Sequence, residues 1–173
     1  FVYQEVSKLK DLNKENYLSL DLGYSRILTG TTKDENIVIN NFKQVKLNKH
    51  ISELQSKRDK YKKGSRNFRK INLSLKKKKR KLKNKVNDFI HKSSKKVVDY
   101  CINNDIGKLI VGDIQVKKVI KKENKKIGGL SKSTGNLGRF KTFLEYKSKN
   151  VGIEFILVNE AWTSKINCMT GNV

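Results

Sequence analysis

The sequence is short of acid. Only 16 Asp+Glu stand against 40 Lys+Arg, a formal charge of +24 over 173 residues. Few metabolic enzymes tolerate such self-repulsion. A polyanionic partner is the natural explanation, and nucleic acid fits it better than a membrane surface. A lysine- and asparagine-rich codon bias contributes, but bias alone would have raised Asp and Glu as well. Cysteine is scarce: Cys101 and Cys168 exclude a disulfide framework and point to a reducing compartment. No apolar run approaches the roughly 20 residues that span a bilayer, so no membrane partner is expected. No signal-peptide pattern opens the chain. No HxxE, CxxC pair or Ser/His/Asp set is read as competing with the chain's carboxylates, and Cys168 alone cannot make a closed zinc site, which needs four ligands. No internal repeat is visible. The chain starts at Phe1 and stops at Val173 without a closing element, so a fragment cut at both ends is expected.

What is there begins with Tyr17–Leu18–Ser19–Leu20–Asp21–Leu22–Gly23. Apolar residues alternate with smaller ones, the pattern of a buried or half-buried strand. The strand ends in a carboxylate followed by glycine. A buried Asp is costly without a cation beside it, and glycine leaves the space above it open. Asp21 is therefore a candidate ligand for a divalent metal. Residues 1–16 read as the tail of an earlier element plus a linker.

Arg26–Thr31 and Asn36–Asn40 are two more short strands, with Gly30 and Lys33–Asn36 supplying turns, so three strands form a meander. From Leu47 to Lys62 the period becomes helical. Gly64 breaks it, and Ser65 can cap a long helix from about Arg66 to Asn104. That helix carries a stripe of Leu82, Val86, Phe89/Ile90, Ser93, Val97 and Cys101. Its first half is instead basic: Arg66, Arg69, then Lys76, Lys77, Lys78, Lys79, Arg80 and Lys81. Between Lys57 and Lys85 there are sixteen basic residues and one acid, Asp59. His50 and His91 read as packing or polar residues on helix faces. Lys108–Gly112 is a further strand. A polar stretch runs over residues 117–137, a helix over 138–147, and Ile153–Val158 is the last strand. Helical crossovers make the later strands parallel to the first. The order β-β-β-α(α)-β-α-β is that of RNase H-like domains, shared by actin-like ATPase halves.

Three strands end in or just before carboxylates: Asp21, Asp113 and Glu160. Two-metal phosphodiester hydrolysis needs carboxylates converging on ions about 3.5–4 Å apart. Hard ions such as Mg²⁺ take oxygen ligands, and sites in α/β sheets gather at the carboxyl ends of strands.

Leu20–Asp21–Leu22–Gly23, the basic hairpin, Asp88–Ser94, Leu109–Asp113, Phe143–Lys147 and Glu160–Ala161–Trp162–Thr163–Ser164–Lys165 follow one another in this order. Together they resemble the RuvC-like nuclease domain of the TnpB/OrfB transposon-encoded proteins, over roughly residues 17–168. The resemblance implies an α/β RNase H-like fold whose mixed sheet has an antiparallel meander followed by parallel strands, with an inserted basic helical hairpin at 47–104. The nuclease domain would occupy 17–173 and be incomplete at its C-terminus. It further implies DNA cleavage dependent on Mg²⁺ (or Mn²⁺), with DNA and a guide RNA as partners. Asp21 matches the first catalytic aspartate. Most members carry Glu-Asp where this chain has Gly112–Asp113. One branch has this same change and a relocated glutamate before Thr-Ser, which Glu160 matches. Asp21 and Glu160 are thus the implied catalytic metal ligands, with Asp113 as a supporting carboxylate and a third aspartate expected beyond Val173. The family's CxxC after Thr-Ser-Lys is absent: either this branch lacks the zinc knuckle or the sequence is degenerate.

The lysines of the hairpin would track phosphates without reading sequence, leaving specificity to guide pairing. Trp162 would stack on a base or pack under its loop. The expected compartment is the cytoplasm, beside the nucleoid, of a prokaryotic or viral host, or the nucleus of a eukaryote. Two other readings stay open: a nucleic-acid-binding protein with a decayed nuclease site, and an actin-like ATPase fragment.

Overall fold

A computed structural model of the chain describes residues 9–23, 26–41, 45–112 and 128–159. Asp113, Glu160, Trp162 and Cys168 lie outside the described residues. The chain divides into two compact units, Phe1–Asn41 with Ser93–Val173, and Phe42–Lys92.

The first unit is built on five strands: β1 (Tyr17–Asp21), β2 (Arg26–Thr31), β3 (Asn36–Asn40), β4 (Lys108–Gly112) and β5 (Glu154–Val158). Their order across the sheet is β3-β2-β1-β4-β5. β1/β2 and β2/β3 are antiparallel; β1/β4 and β4/β5 are parallel. This is the meander followed by parallel strands that the sequence implies. β1 stops at Asp21, two residues short of Gly23, and β5 starts one residue after Ile153.

Strand alternation decides the core. Leu18 and Leu20 are buried while Tyr17 and Asp21 on the opposite face are exposed. Leu28, Ile37, Ile39, Leu109 and Val111 are buried with them, each side chain contributing about 1.5–3 kcal/mol. Gly30 lies inside β2 rather than in a turn: a Cβ there would sit 2.6 Å from Leu20 Cδ2 and 2.8 Å from Ile37 Cγ2. The missing side chain lets its neighbours close over it.

The helices of this unit are α3 (Gly128–Val151) and the last turns of α2 (Arg66–Asn103). The stripe of α2 is buried at Ser93, Val97 and Cys101, joined by Ser94 and Val98. Phe140 and Leu144 of α3 are fully buried. Lys147 Nζ donates to Ser94 Oγ at 2.7 Å. α3 begins ten residues before the expected start at Gly138. The stretch before Gly138 reads as polar and glycine-containing, with Gly128, Gly129 and Gly135, but a helical glycine costs only about 1 kcal/mol relative to alanine, and no proline is present to stop the helix.

Both helices end alike. Asp105 (φ 52°) and Gly152 (φ 90°) are left-handed. Ile106 N–H then donates back to Cys101 O at 2.8 Å, and Ile153 N–H to Ser148 O at 3.0 Å. This six-to-one closure is the Schellman arrangement. It buries Ile106 and Ile153 and launches β4 and β5. Residues 10–16 are tied to these ends. Lys10 N–H donates to Val151 O, Gly107 N–H to Asn13 O, and Asn13 N–H to Asp105 Oδ1.

The second unit holds α1 (Val45–Asp59) and α2 as far as Lys92. Ser65 caps α2, its Oγ accepting from Phe68 N–H at 3.3 Å. Arg58 closes the end of α1 onto the first turn of α2. Its guanidinium lies 5.7 Å from the centre of the Phe68 ring and donates twice to Asp59 Oδ1. Ile51, Leu75 and Ile90 are buried apolar residues of this unit. The helical hairpin expected at 47–104 corresponds to α1 and α2, and the compact unit that holds most of it ends at Lys92.

Candidate functional site

The parallel register brings three strand ends together. Leu20 pairs with Val111, so Asp21 falls beside Gly112, and Gly112 pairs with Val158. At a strand spacing of about 4.8 Å, Asp21 and Val158 flank β4 at roughly 10 Å. Asp113 follows Gly112 directly in the chain, and Glu160 follows Val158 by two residues.

Asp21 is exposed and makes no hydrogen bond or ion pair with any described residue. Burial therefore does not demand a cation beside it, contrary to the expectation from a buried strand end. What suits it to a metal is different: a free, acceptor-only oxygen pair at the carboxyl end of a central strand. Directly opposite, across the antiparallel ladder, stands Thr29. Gly112 is buried and carries no side chain, so β4 supplies no carboxylate within its length. Among the described residues no group of three or more His, Cys, Asp and Glu is placed to hold a metal ion.

The basic residues lie on the second unit. Arg66, Arg69, Lys76, Lys77, Lys79, Arg80 and Lys81 are exposed. Lys78 is half-buried, because it falls on the stripe of Phe68, Ile71, Leu75 and Leu82 that faces inward; its stem is covered while the ammonium reaches out. Nearby acids are already engaged. Asp59 pairs with Arg58 at 2.7 Å and Asp88 with Lys92 at 2.9 Å. No described acid pairs with residues 76–81, so their charge faces solvent uncompensated.

The expectation that no HxxE is present is corrected here, and a groove on α1 was not foreseen. His50 and Glu53 form a His-x-x-Glu spacing on α1, with Nδ1 3.9 Å from Oε2 and both side chains about half exposed; no third described ligand joins them. Lys49, Ser52, Glu53, Ser56, Lys57, Lys60 and Tyr61 line an open groove of about 690 Å³. Its signal was the helical repeat of Lys and Ser along one stripe, obscured by lysines on every other face.

Burial shifts the titration of Cys101 and Lys147 in the first unit. Cys101 is fully buried and burial pushes its thiol up to about 12, which rules out a reactive thiolate. Lys147 is held below the usual lysine range, first by burial and then by Lys95, with Asp99 acting in the opposite direction.

Residues 1–118 match the sequence model of the family OrfB_IS605, described as “Probable transposase”. Residues 138–173 match the model “Cas12f1-like, TNB domain”. No curated protein matches. Among solved structures, the chain is similar to the protein in a cryo-EM structure of a Cas12f1–sgRNA–target DNA complex, with 15% identity and a TM-score of 0.60. The match covers 95% of this chain and 41% of that one. It is also similar to the protein in a cryo-EM structure of a CRISPR–Cas12f ternary complex, with 18% identity and a TM-score of 0.66, covering 95% of this chain and 32% of that one. The chain spans under half the length of each.

Proposed function

The chain belongs to the OrfB_IS605 probable-transposase family, and from that premise we propose that the intact protein is a transposon-associated, RNA-guided DNA endonuclease using Mg²⁺ or Mn²⁺. The observation that carries this reading is the register that sets Asp21 beside Gly112 and Gly112 beside Val158. It gives three carboxylates of the chain, Asp21, Asp113 and Glu160, adjacent strand ends as their starting points. In this reading Asp21 and Glu160 hold the metal through carboxylate oxygens and Asp113 supports them. Bound metal would activate water and stabilise the leaving oxygen of the scissile phosphate. Asp21 suits the part because it is exposed and uncommitted. The lysines and arginines of α2 hold the phosphate backbone and leave sequence to the guide. One of the similar proteins is seen in complex with an sgRNA and target DNA, which supports DNA and RNA as the partners here.

A second reading, a nucleic-acid-binding protein without cleavage, is favoured by one observation: Gly112 leaves the end of β4 without a carboxylate. Cleavage of guide-matched DNA by the intact protein, with and without Asp21→Ala, separates the two. Metal-dependent cutting lost in the variant supports the nuclease. Salt-sensitive binding with no cutting in either protein supports the second reading.

A further inference from the structure

We propose that the groove on α1 is a binding site for single-stranded RNA, separate from the phosphate-tracking face of α2. The inference rests on the reading of this protein as one that binds nucleic acid, and it names the form of nucleic acid this groove takes.

Lys49, Ser52, Glu53, Ser56, Lys57 and Lys60 recur at helical spacing and so share one stripe of α1. Ser52 and Ser56 sit in its middle. Their short side chains leave the floor low, which is why the stripe is a groove and not a ridge, and each offers a hydroxyl donor. Lys49, Lys57 and Lys60 line the same groove and supply positive charge to a backbone lying in it. Ser52, Lys57 and Lys60 are exposed, so a strand can approach unobstructed.

Tyr61 ends the groove and is 37% exposed. Its backbone is held in a turn: Tyr61 N–H donates to Arg58 O at 3.1 Å, and the Arg58 side chain is held by Asp59 and the Phe68 ring. An exposed ring at the end of a basic groove offers a stacking platform for an unpaired base. In a duplex the bases are stacked on each other and cannot use it.

One residue stands apart: Glu53, a carboxylate among lysines. It would repel a phosphate. It can, however, accept a hydrogen bond from a ribose 2′-hydroxyl, the group that distinguishes RNA from DNA. His50 Nδ1 lies 3.9 Å from Glu53 Oε2. The acid in the basic groove therefore selects RNA.

Fluorescence anisotropy on the intact protein tests this. EDTA is present throughout, so cleavage plays no part. The probes are a short unstructured oligoribonucleotide, the DNA of the same sequence and a blunt RNA duplex. Tyr61→Ala is expected to weaken RNA binding about five- to 100-fold, the range of one stacking contact, and to leave duplex binding unchanged. Tyr61→Phe keeps the ring and binds as wild type. Replacing Lys49, Lys57 and Lys60 by Ala lowers the slope of log K against log salt by about 2 for the single strand. Glu53→Ala narrows the preference for RNA over DNA. The proposal is overturned if Tyr61→Ala binds the oligoribonucleotide as wild type, if duplex binding falls equally, or if DNA is preferred at the outset. A wild-type protein that binds none of the probes overturns the nucleic-acid reading itself as well.

Discussion

Leu20 closes over Gly30: a Cβ built on Gly30 would stand 2.6 Å from Leu20 Cδ2. Ile37 Cγ2 and Leu18 Cδ1 crowd the same point at 2.8 and 3.2 Å. Three core side chains from two neighbouring strands fill the space a side chain would take. Overpacking of this kind costs about 1–3 kcal/mol. Gly30→Ala is therefore expected to lower the urea midpoint, and Gly30→Val to lower it further. A midpoint equal to wild type for both variants would contradict the packing.

The basic run on α2 divides by exposure. Lys76, Lys77, Lys79, Arg80 and Lys81 are exposed and Lys78 is half-buried on the inward stripe. Each phosphate contact contributes about 0.9 to the slope of log K against log salt on B-DNA. Neutralising the five exposed residues is expected to flatten that slope by up to about 4.5. Lys78→Gln should instead lower thermal stability through its buried stem and change the slope least. Equal slope changes for Lys77→Gln, Lys78→Gln and Lys79→Gln, with no loss of stability, would refute the distinction.

Cys101 gives the first unit a pH dependence. Burial raises its thiol from 9.0 to about 12, so between these values the unfolded chain has lost a proton that the folded chain keeps. Its contribution is complete below pH 9.0 and is lost as pH rises toward about 12. A shift of that size corresponds to roughly 4 kcal/mol at most. Stability should fall between about pH 8.5 and pH 11 more steeply in the wild type than in Cys101→Ala, as read by chemical unfolding. Parallel pH profiles would contradict the assignment. Lys147, held low, acts with the opposite sign: it opposes folding while charged, and that cost fades as pH approaches 10.5.

Much of the fold was legible because short-range chemistry carried it. The alternation of Leu18 and Leu20, the Ser65 cap, and the stripe from Ile90 to Cys101 each state their role locally. β2, β3 and β4 begin and end where the sequence places them. Gly30 misled because its role is long-range: nothing nearby in the chain says that Leu18, Leu20 and Ile37 will converge on it. The early start of α3 was hidden by its glycines, which lower helix propensity without forbidding a helix. The argument from burial that pointed to Asp21 does not hold in the fold. Its strand is buried on one face, but the pleat turns this side chain to the other. The α1 groove was missed because composition marks the whole region as basic. Only the helix geometry gathers Ser52, Ser56 and Tyr61 with three of its many lysines. Asp113 and Glu160 lie outside the described residues, so their part in the site rests on their place in the chain after β4 and β5.

Cleavage of guide-matched DNA by the intact protein in Mg²⁺ tests the central claim most directly, comparing wild type with Asp21→Ala, Glu160→Ala and Asp113→Ala. Asp21→Ala and Glu160→Ala are expected to abolish cutting while leaving DNA and RNA binding in EDTA intact, and Asp113→Ala to retain more activity than either. Cutting at the wild-type rate by Asp21→Ala or Glu160→Ala would contradict the account.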